Sequence, residues 1–322
     1  MMKIFSNAVV VEDVRNLSRE EWLELRRDGV GGSDASAILG LNPYSSPLRT
    51  YLDKIGEVDE PETNEAMRQG VDLEQYVAER FTEQTGKKVK RLNKMLKHKD
   101  LPWMLANIDR QIVGENAGLE CKTTSAYSKF KFDEGEINPH YYWQSMHYMA
   151  VTGADKWYVA ILVLGRSFHV FEIARDDEAI ATLIGAEQTF WEEHVMKKIP
   201  PLPTGSEADG NALTEMYPQA DEGEDAIEFS SDIDSLLDLR AIKVSERDAI
   251  QVDIDEIDQQ IKAELGKHER GESARWTVTW KNTTTSRVDS KALRQKYPAI
   301  AEEMTKVTAS RRFMVKRVEE EC

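Results

Sequence analysis

Two cysteines, Cys121 and Cys322, are the only thiols in 322 residues. They build no disulfide framework and lack any zinc-binding spacing, which suits a reducing compartment. No stretch approaches the roughly 18 apolar residues that a membrane span requires. No basic segment followed by an apolar run opens the chain as a leader would. A cytoplasmic protein without a membrane partner is the expectation. The six histidines, His98, His140, His147, His169, His194 and His268, stand in no HExxH or other paired metal spacing. A Walker-type glycine-rich loop is also missing, so ATP use is not expected. Basic charge is in deficit: 42 Lys and Arg face 58 Asp and Glu, a formal charge of −16. Because phosphate binding draws on Lys and Arg, that balance argues against a nucleic-acid partner until the charge is placed along the chain.

Position changes the inference. Residues 1–200 carry a net −7, residues 201–272 carry −14, and residues 273–322 carry +5. The acidity is concentrated in one middle segment, so three regions are expected: a main domain over 1–200, an acidic Pro/Gly-rich linker over 201–228, and a second unit over 229–322.

Within 1–200, Trp22, Leu23 and Leu25 sit among Glu and Arg, with Ser18 and Glu21 placed as a capping box for a short helix. That helix stops at Gly29, and Gly31-Gly32-Ser33-Asp34 opens another. A long helix is predicted over 63–84, closed by Gly86. Residues 104–113 and 119–123 alternate like two strands joined by a turn at Gly114. A helix over 138–152, a second hairpin over 157–173 and a helix over 176–198 complete the domain. The fold class expected is α/β (α+β), with helices flanking a small mixed sheet. Beyond the linker, residues 230–265 form one helical pattern in which Ile250, Ile254, Ile257, Ile261 and Leu265 make a seam. That seam could fold onto the unit's own strands, mediate self-association or dock a partner. Strands are predicted over 275–281 and 311–318, with a helical stretch between them. Trp276 and Trp280 share a strand face with Val278, which fits sheet packing.

Working sites show where a polar residue occupies a face the local pattern makes apolar. In the long helix, Met67, Gly70, Glu74, Val77 and Phe81 follow 3- and 4-residue spacings, so Glu74 lies in the apolar stripe and needs a partner, either an ion pair or a site. In the first hairpin, Asn107, Asp109 and Gln111 share the face opposite Ala106, Ile108 and Ile112. Glu120 and Lys122 likewise oppose Leu119 and Cys121. Antiparallel pairing would gather Asp109, Glu120 and Lys122 on one sheet face. Two nearby carboxylates repel, and a divalent cation with oxygen ligands relieves that repulsion. Lys122 could then hold or deprotonate a water.

Asp109 followed by Glu120-Cys121-Lys122 resembles the PD-(D/E)XK nuclease superfamily. The flanking segments sharpen the likeness: WLELR over 22–26, GGSDASAILG over 31–40, NPYSSP over 42–47, GVDLE ending at Glu74, LECK over 119–122 and QSMHY over 144–148. Together they resemble the YqaJ family of viral recombinase nucleases, relatives of lambda exonuclease, in the family's order over about residues 14–200. The resemblance implies that Asp109 and Glu120 ligate Mg²⁺ or Mn²⁺, two ions per site, with the Cys121 main-chain carbonyl as a further ligand. It implies that Lys122 orients the attacking water, that Glu74 serves a second metal, and that Gln144 and Tyr148 face the same site. Arg26 and Ser33 match positions that grip a DNA 5′-phosphate in these relatives, with the adjacent Arg27 as the alternative arginine. Asn107 departs from the serine that the exonuclease relative carries two residues before its metal-binding Asp.

The expected function is a metal-dependent deoxyribonuclease, a 5′→3′ exonuclease that resects double-stranded DNA ends to 3′ single strands for phage-type recombination. A homotrimeric ring, a single-strand annealing partner and a phage or prophage origin follow from the resemblance. An endonuclease or end-processing nuclease of the same fold, and a catalytically inert DNA-binding scaffold, are the alternatives.

Overall fold

The computed structural model describes residues 5–58, 63–128, 130–221, 226–307 and 310–318. Two compact units result, Met1–Pro218 and Gln219–Cys322.

The first unit carries two sheets. β1 (Ala8–Asp13), β3 (Lys94–His98) and β4 (Leu105–Asn107) form an antiparallel three-stranded sheet in the order β1-β3-β4. The larger sheet has the order β2 (Val89–Lys90), β5 (Arg110–Ile112), β6 (Ala117–Thr124), β7 (Lys156–Val163) and β8 (Ser167–Ala174). Its pairs are antiparallel except β6 with β7. Parallel neighbours need a crossover, and α5 (Pro139–Thr152) lies in the connection between them. Ahead of it come α1 (Arg19–Arg27), α2 (Gly32–Ile38), α3 (Pro47–Ile55) and α4 (Glu65–Thr85); α6 (Asp177–Thr189) and α7 (Glu207–Met216) follow. The Ser18–Glu21 capping box starts α1, and Gly86 in the left-handed region ends α4, as the sequence predicts.

Apolar residues on both faces of the larger sheet fix which way β6 points. Val77, Ala78 and Phe81 of α4 pack with Ala117, Leu119 and Tyr158 on one face. Met146 and Met149 of α5 belong with Trp157, Val159 and Ile161 to the main core on the other. Gly118 lies under the Trp157 indole, where a Cβ would come within 2.2 Å of the ring. Side chains alternate along a strand, so Glu120 and Lys122 share the α5 face with Gly118.

Five expectations are corrected. The stretch 104–113 is not one alternating strand but β4 in one sheet and β5 in the other, with the break at Ile108 and Asp109. The Asp109 carboxylate takes the Cys121 amide at 2.8 Å, a side-chain bond where the ladder would otherwise continue. Arg110, Gln111 and Ile112 are therefore all buried rather than alternating. The helix predicted to residue 198 is α-helical only to Thr189 and continues as a wider π turn over Phe190–Val195. Part of the expected linker is α7, held by the buried Ala212, by Asp209 bonding Thr204, and by an Arg49–Glu215 ion pair, so the first unit extends to Pro218.

The second unit holds α8 (Ser231–Leu265), the short antiparallel pair β9 (Arg270–Glu272) and β10 (Thr277–Thr279), then α9 (Ser290–Lys296) and α10 (Pro298–Glu303). Residues 310–318 form no strand, which is the fourth correction. Trp276 and Trp280 are exposed, because a two-stranded ribbon offers no opposing layer for the packing expected of them. Ile250, Ile254, Ile257 and Ile261 of the seam are exposed as well, whereas Leu265 is buried.

Candidate active site

Alternate positions on β6 and one turn of α5 assemble the centre. Glu120 Oε1 lies 2.7 Å from Lys122 Nζ and accepts a hydrogen bond of 2.7 Å from Gln144 Nε2. The same Gln144 nitrogen donates to the Tyr148 hydroxyl at 2.9 Å, which the four-residue helical spacing allows. Glu120 Oε2 and Gln144 Oε1 are buried without a hydrogen-bond partner. Burial and the facing charge of Glu120 push the Asp109 carboxyl up to about 8. Burial by itself would lower Lys122, but Glu120 and Asp109 outweigh it and keep the ammonium protonated. Burial also raises Tyr148 well above the ordinary phenol value, so it stays neutral.

Two facing carboxyls that resist ionising together and an orphaned buried carboxylate oxygen fit a divalent cation held by Asp109 and Glu120. Glu74 does not join them: its Oε1 receives Arg110 Nη1 at 2.5 Å and Arg91 Nη2 at 3.1 Å. Among the described residues no three His, Cys, Asp or Glu side chains gather closely enough to form a metal cage. A cavity of about 200 Å³ opens here, lined by Trp22, Glu74, Asn107 and Asp109 among others.

A second cavity of about 170 Å³ shares Trp22 and Asn107 with the first and is lined by Arg26, Gly31, Ser33 and Tyr148. Arg26 Nη2 donates to Ser33 Oγ at 2.9 Å and to Asp34 Oδ1 at 3.1 Å. Arg27 turns away, its Nε donating to the Asp53 carbonyl at 3.0 Å. Between the two arginines left open by the sequence, the structure therefore joins Arg26 to Ser33. Gly32 packs on the Tyr148 ring, where a Cβ would approach to 2.5 Å, so Tyr148 connects this cavity to Gln144 and Glu120.

A family model for the YqaJ-like viral recombinase domain matches residues 21–155. Over 314 residues the chain is 38% identical to the uncharacterized protein YqaJ of Bacillus subtilis strain 168, covering 97% of this chain and 98% of that relative. The chain belongs to the YqaJ family. Among solved structures it is similar to the alkaline exonuclease LHK-Exo of Laribacter hongkongensis, with 21% identity, a TM-score of 0.48, and coverage of 56% of this chain and 94% of that one. It is also similar to a phage-related exonuclease from Haemophilus somnus 129PT, with 14% identity, a TM-score of 0.41, and coverage of 55% and 99%.

This YqaJ family member has further site groups that sequence reasoning did not single out. Trp22, read from sequence only as a residue of the short first helix and its WLELR motif, lines both cavities, with Arg19 and Arg26 at 4.6 and 5.6 Å from its ring centroid. His140 stands 2.5 Å from Ser36 Oγ, and burial with the nearby Lys122 charge pushes it down to about 4. His147 lies 2.7 Å from Glu187 Oε1 through Nδ1 and donates from Nε2 to the Leu105 carbonyl at 2.8 Å, all out of solvent. It has a structural role, tying α5 to α6 and to the strand before Asp109. Asp34 and Lys54 form a buried ion pair of 2.7 Å behind Arg26. Lys54 left no signal, since it sits beside Tyr51, Leu52 and Ile55 on an amphipathic helix and its partner is 20 residues away.

Proposed function

We propose that this protein is a metal-dependent deoxyribonuclease that trims double-stranded DNA from 5′ ends and leaves 3′ single strands. The observation that carries the reading is the cluster of Asp109, Glu120 and Lys122 beside a cavity that presents Arg26 and Ser33. Membership in a viral recombinase family supports a place in recombination.

Asp109, Glu120 and the Cys121 carbonyl would hold Mg²⁺ or Mn²⁺. Such an ion offsets charge at a phosphodiester and lowers the pKa of water. The chain's own groups do the rest. Lys122, as an ammonium, donates a hydrogen bond that orients a water or a phosphate oxygen but cannot itself take a proton. Gln144 fixes the Glu120 rotamer, and the neutral Tyr148 hydroxyl supports Gln144. Arg26 and Ser33 supply cationic and hydroxyl donors for a terminal phosphate, which sets the end-dependence of an exonuclease. Service of a second cation by Glu74 requires exchange of its Arg110 and Arg91 partners. The family resemblance supports a homotrimeric ring around DNA and an annealing-protein partner. Light scattering of the purified chain tests the first, and co-purification with that partner tests the second.

The deciding experiment is digestion of 5′-phosphorylated linear duplex with Mg²⁺, with a covalently closed circle as control. Shortening of the 5′ strand on linear substrate only is expected, and its loss with EDTA, Asp109→Ala or Lys122→Ala. Cleavage of the circle supports an endonuclease instead, and retained activity in either variant overturns the assignment.

A further inference from the structure

Asp34 sits between two cations contributed by different helices. Its Oδ1 accepts from Arg26 Nη2 of α1 at 3.1 Å, and its Oδ2 meets Lys54 Nζ of α3 at 2.7 Å. The same Oδ2 also accepts from the Gly31 amide at 2.9 Å. Lys54 completes the arrangement by donating to the Arg26 carbonyl at 3.1 Å. The Lys54 side chain is 0% exposed and that of Asp34 is 7% exposed, whereas Arg26 keeps 29% exposure and lines the cavity with Ser33. Burial works against the Asp34 charge, but Lys54 and Arg26 outweigh it and hold the carboxyl well below the usual range.

The consequence is one of charge count. One carboxylate facing one arginine would neutralise it and compete with any incoming phosphate for the guanidinium. With Lys54 on the second oxygen, the trio carries a net positive charge, and its solvent-facing member is Arg26. Lys54 is sealed from solvent and cannot touch DNA. Asp53 is a further, less directly placed anion near Arg26.

We propose that Lys54 is a positioning residue for end recognition: by occupying Asp34 from behind, it leaves the Arg26 charge available to a terminal 5′-phosphate. The proposal rests on the reading of Arg26 and Ser33 as the phosphate grip. It predicts that the charge of Lys54 acts through Asp34, whatever its bond to the Arg26 carbonyl adds to folding, so removing both buried charges restores most of what removing Lys54 alone takes away.

The test measures binding of the full-length chain, without divalent metal, to fluorescent duplexes ending in a 5′-phosphate or a 5′-hydroxyl. The ratio of the two Kd values is the readout. In Lys54→Met the preference for the phosphorylated end is expected to fall about tenfold, the scale of one charge-assisted hydrogen bond. In the double variant Asp34→Asn, Lys54→Met most of the preference returns, because Arg26 no longer has a neutralising partner. A purely structural role for Lys54 would weaken binding to both duplexes alike and leave the ratio unchanged. An unchanged ratio in a folded Lys54→Met overturns the proposal, as does a double variant that stays indifferent. Should Lys54→Met fail to fold, Lys54→Gln, which removes the charge but keeps a donor for Asp34, takes its place with the same fall expected. A wild-type chain that ignores the terminal phosphate removes the phosphate-grip reading and the proposal together; a wild-type preference that survives Lys54→Met removes the proposal alone.

Discussion

In the unit that ends at Pro218, charged groups lie in the interior: Asp34 against Lys54, Glu120 against Lys122 and Gln144, His147 against Glu187. In the unit from Gln219 onward the described residues bury two hydrophobic side chains, Leu265 and Ala301, while Ile250, Ile254, Ile257 and Ile261 and the acids of α8 stand in solvent. Interior charge is expensive unless every group finds a partner, so a chain that keeps it must hold those partners in place. Solvated charge needs no such geometry. Of the net −14 of 201–272, −8 falls in 201–228 and −6 on the solvated helix α8, whereas a few charges in the first unit form the candidate chemistry.

The sharpest way to break this comparison is at Asp109. Asp109→Asn is expected to reduce hydrolysis of linear duplex by about 10³-fold or more, the scale of losing a group that positions a catalytic ion. The same change should stabilise the metal-free protein at high pH. Asp109 has an ordinary value of 3.8 and a folded value of about 8. Across that interval the folded state keeps a proton that the unfolded state has released, so wild-type stability falls as pH rises through it and levels off above. Thermal melts at pH 5 and pH 8 check this, with a smaller drop expected in the variant. Addition of Mg²⁺ should restore more stability to wild type at pH 8 than at pH 5.

Next in size is the buried pair behind the site. His147→Leu leaves Glu187 without its partner and should cost about 3–5 kcal/mol, whereas His147→Leu with Glu187→Leu should cost less. Urea titration of these variants and of Glu187→Leu measures the difference, and a double-variant loss equal to the sum of the two single losses would show that the pair is not coupled. The smallest effects contrast the units directly. Leu119→Ala in the first unit should cost about 2–5 kcal/mol. Ile254→Ala on the exposed face of α8 should change the stability of an isolated chain by less than about 0.5 kcal/mol. A large loss at Ile254 would mean that the second unit has a packed face in solution after all.

Much of the fold was legible where the signal was local. Ser18 and Glu21 are three residues apart, Gly86 follows the last turn of α4, and the β7–β8 hairpin turns at Gly165, so each is written within a few residues. Glu120 and Lys122 were legible for the same reason, since alternate positions share a strand face. The break at Asp109 was not. It depends on a hydrogen bond to Cys121 across a turn, and the two halves of the stretch pair with different sheets. The Glu74 stripe violation was visible, but its answer, Arg110 across 36 positions, was not.

The amino-acid sequence by itself determined the capped start of α1, the glycine stop of α4, the face shared by Glu120 and Lys122, the uneven spread of charge and the motif order that marks the YqaJ family. These are properties of neighbours within one helical turn or one strand repeat, and local sterics and hydrogen bonding enforce them. Only the tertiary structure decided which arginine meets Ser33, what pairs with Glu74, and that Lys54 lies sealed behind Asp34. Each depends on how separate helices and sheets pack, and burial turns an ordinary surface charge into one that must have a partner.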